Sequence, residues 1–178
     1  GIGYFHAPFF HPVFARMQPL RQALKRRTIL NLLGPLVHPM RLDYQLVGVS
    51  YKRLVPLYAK VLRRLSRKTA LVCHSFDGMD EISTAVPTSA VWITGNRMRR
   101  GVIHPEGHGL RRAFLKDLEG RSVKEGRIRA EKILKNRDRG PARDVVVLNA
   151  AYGLVVCRKA RTVVEGVRMA RESLDTGA

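Results

Sequence analysis

Arg53 to Glu81 reads RLVPLYAKVLRRLSRKTALVCHSFDGMDE, and two periodicities meet inside it. Leu54, Leu57, Val61, Leu62 and Leu65 recur at helical spacing, with Lys60, Arg63, Arg64 and Arg67 on the opposite side, so an amphipathic helix is predicted over 53–68. The run TALVCH at 69–74 is continuous and apolar, as in a buried strand, and it opens into the polar loop SFDGMDE. Just upstream, QLVGV at 45–49 is a second short apolar run. Strand, helix, strand in that order predicts a crossover and a parallel pair.

The rest of the chain extends this α/β pattern. Short strands at 91–94 and 101–104 flank the polar stretch GNRMRR, which predicts a hairpin at the sheet edge. Ser122 with Glu125, and Thr162 with Glu165, match the capping box, so helices are expected to start there. Between them, 144–157 is nearly all apolar, as expected of a helix in the middle of the core, with Asn149 a satisfied hydrogen-bonding group. Near the start, 12–25 is helical but interrupted by Pro19, which predicts two short helices with Phe14, Leu20 and Leu24 facing inward. The fold class is α/β: a central, largely parallel (mixed) sheet with helices packed on it.

A chain of 178 residues suffices for one domain with a sizeable core. Its 33 Lys+Arg against 14 Asp+Glu give a net charge of +19, which favours anionic partners. The basic residues are scattered, so two readings stand: a nucleic-acid-binding surface around Arg97, Arg99, Arg100, Arg111 and Arg112, or solvated charge. Cys73 and Cys157 both fall in apolar runs and are expected to be buried free thiols in a cytoplasmic protein. The longest apolar run, from Val145, is shorter and more polar than the roughly 20 residues a bilayer span needs.

Two groups of residues carry candidate chemistry. In APFFHPVFARMQPLRQALKRRTILNLLGPLVHP, at 7–39, His11 stands at a helix start, Arg21 on the next helical stretch, and Gly34-Pro35 closes an apolar run. Together they are candidates to line a small pocket. The arginine fork matches a planar carboxylate, and a glycine permits close approach of a flat ligand. The plainer alternative makes Arg21 a solvated helix charge and His11 a local hydrogen-bonding group. The second group is Asp80-Glu81, after the strand 69–74, where α/β proteins place ligands. Adjacent carboxylates suit a magnesium ion, or else are ordinary loop charges. His104 and His108 have a spacing that fits zinc, but lack flanking ligands.

The order of these landmarks resembles the anthranilate phosphoribosyltransferases. Their FAP-x-x-HP…VRR-x-LG-x-RT-x-x-N-x-LGPL-x-NP segment is matched here by APFFHP…LRQALKRRTILNLLGPLVHP, and HSFDGMDEIS, GPARDVVVLNAA and VRMARESLDTGA look like later landmarks of the family. The resemblance implies the large-domain fold of the phosphoribosyltransferase/nucleoside phosphorylase type. It implies transfer of a phosphoribosyl group from phosphoribosyl pyrophosphate to anthranilate, in tryptophan biosynthesis. It places His11, Arg21, Gly34 and Pro35 on anthranilate-binding positions and Asp80 and Glu81 on the Mg2+ pair. Phe14 stands where some relatives have tyrosine, and Lys25 where the family usually has glycine. The resemblance covers a family chain's back half only. The family's GTGGD-like diphosphate loop, the Asn and Lys-His residues around it and the small helical domain have no counterpart in these residues, so 1–178 is expected to be a partial α/β catalytic domain, inactive alone and completed by an amino-terminal half or partner chain. A homodimer is left open. The alternative is a non-catalytic, basic nucleic-acid-binding protein on the same fold.

Overall fold

The computed structural model describes residues 2–24, 28–118 and 122–177. It divides into two compact units, 1–43 and 44–178.

The first unit is built from short helices. α1 (Ala7–Phe10) leads into α2 (Pro12–Arg16), which starts on a proline whose missing N–H costs nothing there. α3 (Gln18–Leu24) carries Pro19 in its first turn, so the expected pair of helices meeting at this proline is present. α4 (Ile29–Leu33) begins where Asn31 Oδ1 accepts the Thr28 N–H at 2.9 Å, and a 3-10 turn, Gly34–Leu36, follows it. Phe14 is buried, as expected. Leu20 and Leu24, expected to face inward, are exposed at 48% and 47%: helices of 5 and 7 residues expose most of their circumference, so helical spacing did not decide burial.

The second unit holds a four-stranded sheet in the order β1-β2-β3-β4. β1 (Tyr44–Gly48) and β2 (Thr69–Ser75) are parallel. They are joined through a 3-10 turn, Lys52–Leu54, and α5 (Val55–Arg64), the crossover read from the sequence. β3 (Thr88–Thr94) runs antiparallel to β2, and β4 (Arg97–Ile103) antiparallel to β3. The sheet is therefore mixed, with one parallel pair. The β3–β4 connection is too short for a parallel crossover, which needs a dozen or more residues.

The hairpin is tighter than expected. Thr94 pairs with Arg97, leaving a two-residue loop that opens on Gly95 at φ +54°, a conformation glycine accepts at no steric cost. Arg97, Met98, Arg99 and Arg100 are thus ladder residues of β4, not turn residues.

Three helices follow the sheet's last loop: α6 (Leu115–Leu118), α7 (Val123–Leu134) and α8 (Pro141–Val156), and α9 (Val163–Thr176) ends the chain. Both helices start on the expected N-caps: Ser122 accepts from the Glu125 N–H and Thr162 from the Glu165 N–H, while the Glu165 carboxylate accepts the Arg161 N–H. α5 packs on one face of the sheet and α8 on the other, with α9 against α8. On the α8 side, Leu71, Cys73, Ala90, Ile103, Leu148, Tyr152 and Val156 form a continuous buried cluster with Ile82. Gly166 is needed between α8 and α9, because a Cβ there would stand 2.8 Å from the Ala151 carbonyl oxygen.

Cys73 is buried as expected, but Cys157 is exposed at the C-cap of α8, where the apolar run turns outward. Burial pushes the Cys73 thiol up to about 12, with the carboxylates of Glu81 and Asp80 adding to the shift. A disulfide-exchange reagent at pH 8 should therefore titrate one thiol per folded chain. Cys157→Ser should remove that reaction and denaturant should restore a second equivalent in the wild type; two fast thiols in the folded protein would contradict the burial of Cys73.

Candidate functional site

β2 delivers the acidic loop. Its last residue, Ser75, donates its N–H to the Met79 carbonyl at 2.9 Å, and Gly78 returns its N–H to Ser75 O at 3.0 Å, with Gly78 at φ +94°. Only a residue without a Cβ adopts that angle without strain. Asp77 is used up within the loop: its Oδ1 accepts from the Met79 N–H at 3.1 Å and its Oδ2 from the Ser83 hydroxyl at 2.8 Å.

Two contacts then fix where Asp80 and Glu81 stand. The Asp80 carbonyl lies so close to Gly48 of β1 that an added Cβ would sit 1.4 Å from its oxygen. One residue beyond Glu81, Asn149 of α8 takes the Ile82 N–H on Oδ1 and donates Nδ2–H to Ile82 O, each at 2.9 Å. Asn149 Nδ2 also donates to Val145 O at 2.9 Å. Asn149 is the satisfied hydrogen-bonding group expected from sequence, and it is half-buried.

Held this way, Asp80 and Glu81 are exposed, while Ile82 is fully buried beneath them. The Glu81 carboxyl is raised above its ordinary range, first by partial desolvation and then by the neighbouring Asp80 charge. A cation between the two would relieve that repulsion. All-oxygen donors, two carboxylates and open solvent are what magnesium takes when substrate phosphates complete its shell. Among the described residues no cluster of three or more His, Cys, Asp or Glu forms an all-protein metal site.

The other predicted group lies in the first unit. His11 occupies the N-cap position of α2, and its Nε2 hydrogen-bonds the carbonyl of Val37, the residue that follows the Gly34–Leu36 turn. A Cβ on Gly34 would meet nothing within 4 Å, which leaves that backbone approachable. Arg21 lies on α3; its side chain and the whole of Lys25 are outside the described residues.

His108, weighed as half of a zinc pair, faces Tyr152 instead: the Tyr152 hydroxyl is 3.3 Å from His108 Nε2 and the rings meet edge-on at 5.8 Å. Burial lowers the His108 pKa, partly countered by a hydrogen bond with the His104 backbone, and raises the Tyr152 hydroxyl to about 12. Sequence reading passed over Tyr152 because it sits in an apolar helix as a core residue would.

Residues 1–178, the whole chain, match the model of the glycosyl transferase family, a/b domain. The chain belongs to that family. The anthranilate phosphoribosyltransferase of Thermomicrobium roseum is 42% identical over 181 residues, covering all of this chain and 52% of its own length. The crystal structure of anthranilate phosphoribosyltransferase from Thermus thermophilus superposes on 98% of this chain and 51% of its own, with a TM-score of 0.84 and 34% identity. The Saccharomyces cerevisiae enzyme, in complex with PRPP and Mg, does so with a TM-score of 0.84 and 26% identity over 96% of this chain and 49% of its own. The chain thus spans about half the length of the relatives it matches. They support the transferase resemblance and not the nucleic-acid alternative. Among the described residues no helix is long and apolar enough to cross a membrane.

Asn149→Ala should remove the grip on Ile82 and leave its buried N–H without a partner. The expected loss is about 1–3 kcal/mol in urea unfolding. Gly48→Ala should cost a similar amount, about 1–3 kcal/mol, since the Asp80 backbone must move away. Wild-type stability in either variant would mean that the acidic loop is not anchored as described.

Proposed function

We propose that this chain is the carboxy-terminal part of an anthranilate phosphoribosyltransferase, carrying anthranilate-binding and magnesium-binding elements and inactive until an amino-terminal half completes it. The observation that carries this reading is the ordered similarity of all 178 residues to about half of enzymes bearing that name. In the first unit, Arg21 binds the carboxylate of anthranilate, and His11 with the Gly34-Pro35 backbone lines its ring. An arginine fork suits the carboxylate, and the open space over Gly34 suits the flat ring.

In the second unit, Asp80 and Glu81 hold Mg2+. The bound ion supplies neutralisation of the charge that builds on the departing diphosphate. This chain's residues hold the two carboxylates in place through Gly48, Asp77 and Asn149. The rate gain in such a displacement comes from positioning and from charge stabilisation. The phosphate-cradling backbone belongs to the amino-terminal half, because a diphosphate needs a run of main-chain N–H groups free of side chains. Residues 1–178 form a partial catalytic domain in this reading.

The test is reconstitution. Neither this chain nor a separately produced amino-terminal half should turn over anthranilate and phosphoribosyl pyrophosphate; mixed with Mg2+, they should. Arg21→Ala should weaken anthranilate binding by about tenfold or more, the loss of a charge-assisted bidentate contact. Asp80→Asn with Glu81→Gln should abolish the magnesium requirement's saturable phase along with turnover. Two folded halves that associate and stay inactive would overturn the proposal.

A further inference from the structure

A cavity lies on the α8 face of the β3–β4 hairpin, in the second unit, and none of the residues assigned above lines it. It measures about 360 Å³ and is walled by Trp92, Tyr152 and His108 over an apolar floor that includes Ala90, Ile103 and Val163. That size and lining, aromatic with a few polar groups, are those of a small-molecule pocket.

The fold makes this cavity for a local reason. Trp92 of β3 pairs directly with Arg99 of β4, and Ala90 with Gly101, so these four side-chain positions share one face of the sheet. The two small positions leave a hollow beside the large Trp92–Arg99 pair. Tyr152 reaches that hollow from α8: its ring centroid is 5.9 Å from the Trp92 ring at 39°, and His108 stands edge-on behind it. The Trp92 and Tyr152 rings touch, so a ligand does not slot between them. It lies against them.

Charge selects the class of ligand. Glu106, at the rim, lies 3.8 Å from Arg112, so its charge has a counterion. Arg99, on the same rim, is exposed and makes no ion pair among the described residues. One unpaired guanidinium beside aromatic walls in a chain of net charge +19 favours a flat molecule with an acidic group. We propose that the cavity formed by Trp92, Arg99, His108 and Tyr152 is a binding site for a planar aromatic acid, its ring against Trp92 and Tyr152 and its carboxylate on Arg99. Its lining includes none of His11, Arg21, Gly34 and Pro35, and the proposal does not depend on the reading given to them.

Trp92 is the chain's only tryptophan, so a 15N–1H spectrum of the full chain holds a single indole N–H signal. Titration with 2-naphthoate should move that signal saturably, and 2-naphthalenemethanol, the same ring without charge, should bind about tenfold more weakly or less. Arg99→Gln should bring naphthoate down to the level of the alcohol. Val163→Phe, which fills the floor without touching the recognising groups, should abolish both shifts. Arg21→Ala should leave the Trp92 response intact, which separates failure here from failure of the anthranilate reading. An unmoved or non-saturating indole signal would overturn the site. So would equal binding of acid and alcohol, unaffected by Arg99→Gln.

Discussion

The grip of Asn149 on Ile82 is the contact on which the position of the acidic loop rests. A side-chain amide that both accepts from and donates to the main chain of one residue copies the pairing of a neighbouring strand. It does so from a helix, in a place where the chain has left the sheet after β2. Without such a partner, the buried main chain at Ile82 would leave an N–H and a C=O unpaired, each at a cost of about 1–3 kcal/mol. The amide's remaining N–H is satisfied by Val145 O one turn back along α8. Each polar atom of the amide therefore has a partner inside an otherwise apolar helix, and α8 is fixed against the loop.

Much of this architecture was legible because it follows from short-range rules. The helical periodicity of α5, the continuous run of β2 and the Ser122 and Thr162 N-caps each state their own conformation within a dozen residues. The crossover between β1 and β2 follows from them, since a helix between two buried strands leaves room for few other connections. Legibility ended where burial is decided by distant chain. Leu20 and Leu24 have the right spacing to face inward but sit on a helix of 7 residues, and they are exposed. Cys157 closes an apolar run yet falls past the last turn of α8, outside the core that the run was built for.

The hairpin shows a similar boundary. Gly95-Asn96 is a two-residue loop, so the basic residues that look like a turn are strand residues alternating between two faces. Arg99 thereby joins Trp92, 7 positions earlier, while Tyr152 arrives from α8, 44 positions after His108. No local pattern links a tryptophan, an arginine and a tyrosine so placed. Only register and helix docking bring them to one hollow. The basic excess is likewise put to particular uses: Arg143 is buried and pairs with Asp175 at 2.8 Å across the α8–α9 contact. Charge read from composition alone did not separate such internal pairs from a polyanion surface.

Asp77, Asp80 and Glu81 stand close together in the acidic loop, and geometry divides their labour. Asp77 faces the loop's own backbone and Ser83, with both oxygens engaged, so its charge shapes the turn. Asp80 and Glu81 follow a glycine-permitted turn that reverses the chain, and they are held outward between Gly48 on one side and Ile82 on the other. One bond to each oxygen fixes the orientation of the Asp77 carboxylate and ties it to the loop. In the exposed adjacent pair, partial desolvation and then the Asp80 charge hold the Glu81 carboxyl above its ordinary range. The position of each acid relative to the end of β2, more than its identity, thus decides which is tied into the loop and which stand exposed.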